Sequence, residues 1–140
     1  MRWLSVVFIA ILMSVSAFAQ EAEPANETPW QATITGQLEA FRSADAEAAL
    51  EFAGAGFKAQ FDDPELFYRA ILATGYEPLA RSRSHTFGKF TQIGEIGALQ
   101  EVLLVGPELG LFSAIYEMRL EEDGWRVQGV ALRIQQGIGA

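Results

Sequence analysis

Residue types able to do chemistry near neutral pH are sparse in this sequence. His85 is the only histidine, and there is no cysteine. One imidazole cannot build a multi-histidine zinc site, and without thiols there is neither a cysteine nucleophile nor a disulfide framework. His85 could serve as a lone general base, because its ordinary pKa lies near neutrality. No orienting carboxylate is identifiable, however, so a polar residue at the mouth of a strand is the preferred reading.

Beside it, Arg81-Ser82-Arg83 is the densest basic point of an acidic chain. Two arginines at i and i+2 of an extended segment point the same way and could together grip a carboxylate or phosphate. Solvated charges balancing nearby acids are the simpler account. Of the acidic clusters, Asp62-Asp63 is explained by a helix cap at Asp63, and Glu121-Glu122-Asp123 by a hairpin turn before Gly124. A calcium loop would need oxygen ligands at further alternating positions. Gly54-Ala55-Gly56 follows a helix rather than a strand and lacks a third glycine, so it is no dinucleotide loop. No metal or cofactor is implied.

Tyrosines can line an apolar cavity while offering a hydroxyl. A ligand pocket is therefore expected between Phe67, Tyr76, His85 and Tyr116, with Tyr68, Arg81 and Arg83 completing the candidate lining.

These residues need elements to position them. Trp30, Ile34, Leu38 and Phe41 recur at helical spacing behind Pro29. A second helix starts at the Asp45 cap, runs through Phe52, and stops at Gly54 and Gly56. A third opens with Asp63-Pro64-Glu65, buries Leu66, Phe67, Ala70 and Ile71, and ends at Gly75, with Pro78 beyond. Four runs rich in β-branched and aromatic residues follow, at about 84–92, 99–105, 111–120 and 125–135. Their short links forbid parallel crossovers. Phe112, Ala114, Tyr116, Met118 and Leu120 alternate with polar residues, as in a sheet covered on one side. The expected fold is α+β: three N-terminal helices on a curved antiparallel sheet of about four strands.

Ahead of this domain, assigned to residues 29–140, stands a leader. Arg2 precedes an uncharged apolar run from Trp3 to Val15, and Ala17-Phe18-Ala19 precedes Gln20. That is the order of a secretory signal cut between Ala19 and Gln20. The run is too short for a typical membrane helix, so no membrane span is expected after cleavage. Residues 20–28 are polar and acidic and read as a flexible tail. Removing the 19-residue leader from 140 leaves 121 residues, enough for one self-sufficient core. It also removes one of ten basic residues, leaving nine against eighteen acids. This balance argues against nucleic-acid partners.

The order of elements resembles the nuclear-transport-factor-like, cystatin-like cone fold. More narrowly, the chain resembles a family of small exported bacterial proteins of unknown function. The carriers are residues 30–52, Tyr76-Glu77-Pro78-Leu79, Phe87-Gly88, residues 102–107, Tyr116, Asp123-Gly124-Trp125-Arg126-Val127 and Gly129-Val130. The resemblance implies a fold and the bacterial periplasm, without an activity to carry over. It also implies that pairing of two copies through the outer sheet face is open to the chain. The function expected is a non-enzymatic module binding a small ligand or a protein partner. A small lyase or isomerase using His85 or an Asp/Tyr pair, and an assembly subunit of the envelope, are the alternatives.

Overall fold

The computed structural model describes residues 27–135. The leader, the Ala19–Gln20 cleavage point and residues 20–26 lie outside them. Helix α1 spans Pro29–Arg42. Thr28 closes its first turn with a capping box: its Oγ1 accepts from Gln31 N, while Gln31 Oε1 accepts from Thr28 N at 2.9 Å. The stripe Trp30, Ile34, Leu38 and Phe41 is buried along its whole length. Helix α2, Ala46–Glu51, is capped by Asp45.

Five helices replace the expected three. The glycines read as a stop instead start α3, Ala55–Gln60, with Gly54 as its cap residue and Gly56 inside it. Helix α4, Pro64–Ala73, has Asp63 as cap, whose carboxylate accepts from Glu65 N at 2.9 Å. Gly75 follows at φ +95°, a left-handed position that glycine occupies at little cost. Pro78 then sits in the first turn of α5, Glu77–Ala80, rather than merely beyond a stop.

The strands are β1 Ser84–Ile93, β2 Gly97–Val105, β3 Leu111–Glu121 and β4 Gly124–Ile134. They form one antiparallel meander in the order β1-β2-β3-β4, so the fold is α+β. Ala114, Tyr116 and Met118 of β3 are buried as their alternation predicts. Leu120 shares their face but stays 40 % exposed near the end of the strand.

Both edge strands carry register shifts, between Phe87 and Phe90 of β1 and opposite Glu117 and Met118 in the β3–β4 pair. Such bulges bend a strand and raise its twist. The result is visible at Trp30. Its indole meets Phe90 of β1 and Trp125 of β4 edge-on, each at 5.2 Å between ring centroids. Strands at opposite edges of a four-stranded sheet stand roughly 14 Å apart if flat. They converge on one side chain because the sheet curls around the start of α1.

Gln100 holds this end together. It is fully buried on β2, and its Oε1 accepts from Trp30 Nε1 at 2.9 Å and Gln31 Nε2 at 3.0 Å. Its Nε2 donates to the carbonyls of Gly88, Lys89 and Glu101. A buried amide thus occupies both its polar ends, and in doing so pins the β1 bulge.

Candidate functional site

Phe67 is the centre of an aromatic cluster. Phe41 stacks on it at 6.0 Å, while Phe57 and Phe61 meet it edge-on at 5.9 and 5.6 Å. Each ring comes from a different place: Phe41 from α1, Phe57 from α3, Phe61 from the end of α3, Phe67 from α4. Two of the four therefore depend on the helix that sequence reasoning missed.

Between this cluster and β4 lies a cavity of about 400 Å³. The four rings, Ile71, Leu79, Val127 and Val130 supply its apolar wall. Gln37, Gln60, Thr74 and Tyr76 are the polar side chains on it, and no charged side chain or histidine lines it. Gln37 is only 3 % exposed and projects from the middle of α1. Its Nε2 donates to Ala49 O at 3.0 Å, which fixes the amide orientation and leaves Oε1 without a donor among the described residues. Tyr76 Oη donates to Val130 O at 2.9 Å.

The seven residues expected around one pocket are divided among six settings. Phe67 and Tyr76 do line the cavity. Tyr68 packs on Phe41 at 6.1 Å with its hydroxyl toward Phe41 O, away from the lining. Arg81 and Arg83 do not share an anion: Arg81 stands against Glu77 at 3.6 Å, and Arg83 donates to Pro107 O at 3.0 Å. Arg81 ends α5 instead of extending a strand, which breaks the i, i+2 alternation. Tyr116 is completely buried on β3, and its hydroxyl has no hydrogen-bond partner. Burial drives that phenol far above its ordinary range, the charge of Arg42 offsetting only part of the effect.

His85 belongs to a separate polar cluster under the far edge of the sheet. Arg42, the last residue of α1, donates through Nη2 to His85 Nδ1 at 2.8 Å. Its Nε donates to Ser82 O at 2.9 Å, and Nη2 also reaches Ser82 Oγ. Because a guanidinium only donates, Nδ1 must be unprotonated, so the neutral ring carries its proton on Nε2. That N–H faces Thr35 Oγ1 at 3.2 Å, and the threonine hydroxyl donates to Glu27 at 3.3 Å. Burial, then the charge of Arg42, pulls the His85 pKa below its ordinary value, with Glu27 and Glu39 opposing. Both ring nitrogens are engaged within the protein.

Among the described residues no helix is long and apolar enough to cross a membrane. No group of three or more His, Asp or Glu side chains is placed to hold a metal there either.

The curled sheet, the helical layer and the cavity between them extend over most of the segment that defines a known family. The chain belongs to DUF4864, a domain of unknown function, whose model matches residues 23–140. No curated protein matches the chain.

Proposed function

We propose that this protein is an exported, non-enzymatic binding module of cone-like fold that takes up a small apolar ligand in the cavity between the phenylalanine cluster and β4. One observation carries the reading: a partly open cavity of about 400 Å³ is walled by four phenylalanine rings and carries no charged side chain. Packed interiors leave few voids larger than a water molecule, and cavities of this size and lining are where small molecules bind. Acid–base chemistry needs a titrating group within reach of the substrate. The lining holds no carboxylate, lysine or histidine, and the neutral imidazole of His85 is engaged elsewhere. This favours binding over the lyase or isomerase alternative. Export to the bacterial periplasm is supported by the order of residues 1–20, a basic start, an apolar run and an Ala-x-Ala site.

Native mass spectrometry of protein purified from its own host tests both parts. The expected species begins at Gln20 and carries an added mass of a few hundred daltons. Ala70 lines the cavity and is half-buried, so Ala70→Trp should fill the space and release that mass while the circular dichroism stays unchanged. An added mass retained by the folded Ala70→Trp protein, or a bare polypeptide from wild type, would overturn the cavity as the binding site. A protein beginning at Met1 would overturn export by cleavage.

A further inference from the structure

The hydrogen-bonding polarity of the cavity leans toward acceptors, and no charge offsets it. Gln37 Nε2 has given one of its two protons to Ala49 O, so the amide retains one N–H, while Oε1 is an acceptor without a protein donor among the described residues. Tyr76 has spent its hydroxyl proton on Val130 O, and Thr74 has spent its own on Ala70 O at 2.7 Å. Each of these hydroxyls can now only accept. Besides the second N–H of Gln37, the donors left on the lining side chains are those of Gln60, exposed at the rim. Two consequences follow from elementary electrostatics. A carboxylate or phosphate inside would face acceptors with no counter-charge, a placement that costs several kcal/mol. A neutral O–H or N–H would instead meet Gln37 Oε1, an acceptor with no protein donor among the described residues.

We infer that the cavity selects an uncharged, apolar molecule bearing a hydrogen-bond donor, of the phenol or indole class, and that Gln37 Oε1 receives that donor. This rests on the reading of the cavity as a binding site. The rings support the same class, because aromatic pairs prefer the edge-on arrangement already made by Phe57 and Phe61 around Phe67.

Three probes sharing one apolar body separate the terms: naphthalene, 2-naphthol and 2-naphthoate, titrated into the protein lacking its leader at pH 7.5 and followed by calorimetry. The expected order has 2-naphthol tightest, naphthalene at least fivefold weaker, and 2-naphthoate at least tenfold weaker than 2-naphthol. In Gln37→Leu the advantage of 2-naphthol over naphthalene should shrink to less than twofold. The wild-type series needs no variant, so a misfolded Gln37→Leu protein would leave the comparison intact. If 2-naphthoate binds as well as 2-naphthol, or naphthalene equals 2-naphthol in wild type, the donor class is wrong while the cavity still binds. If no probe binds, or all bind equally well to Ala70→Trp, the cavity reading fails and this inference falls with it.

Discussion

Arg42 Nη2 lies 2.8 Å from His85 Nδ1, joining the last residue of α1 to the start of the sheet's edge strand β1. The pair sets the tautomer of the only imidazole in the chain and keeps it neutral. It also gives His85 a structural occupation, which is why the ring does not look into the cavity.

Protonating His85 puts a proton on the nitrogen that receives Arg42, so acid should weaken the fold. The folded-state pKa lies below the ordinary value of about 6.5, whereas the unfolded chain titrates near that value. The unfolded state therefore binds the proton more readily, and the contribution, whole above about pH 6.5, is lost as pH falls through the folded-state value. Urea denaturation from pH 7.5 to 5 should show wild type losing stability faster than His85→Asn, whose amide oxygen still accepts from Arg42. Parallel curves would show that the imidazole is not the titrating group.

Lysine cannot replace Arg42. A single ammonium cannot serve Ser82 O, Ser82 Oγ and His85 Nδ1 from one planar fork. Arg42→Lys should cost about 1–3 kcal/mol in chemical denaturation, the range for leaving buried acceptors unsatisfied. The nitrogen-15 spectrum of wild type should show a uniform Nε2–H tautomer at His85, and that of the variant should lose it.

Tyr116→Phe should be neutral or stabilising by up to about 1 kcal/mol, an unusual sign for a fully buried residue. The hydroxyl it deletes is desolvated and makes no hydrogen bond, while the ring that fills the core stays. Destabilisation beyond about 1 kcal/mol would mean that the phenol is satisfied in solution after all.

Gln100→Leu, of similar volume, should cost about 2 kcal/mol or more, because Trp30 Nε1–H and the bulge carbonyls lose their partner together. The Trp30 indole proton should exchange with deuterium much faster in the variant, which distinguishes this cause from a packing defect.

Local chemistry made much of the scaffold readable. The Asp63-Pro64-Glu65 start and the Trp30–Phe41 stripe are short-range signals, and the structure uses them as such. Helix α3 gives no such signal: it has no side-chain cap and no fully buried residue, and it contains a glycine. Phe57 and Phe61 therefore read as linker, although they wall the cavity. Arg42 looks like any cation at a helix C-terminus, since its partners are 40 and 43 residues away. The expected pocket joined His85 of β1 to Tyr116 of β3 and to Tyr76 of the helical layer. In the order β1-β2-β3-β4, His85 and the β4 wall of the cavity belong to opposite edges, a separation that only strand pairing reveals.

The two margins of the sheet are unlike. Along β4, Phe52 O and Gly54 N engage both backbone groups of Val127, and Tyr76 Oη engages the carbonyl of Val130. Among the described residues no chain pairs with the outer side of β1. Three backbone groups of β4 are thus withdrawn from pairing, so an added strand meets more resistance there than along β1.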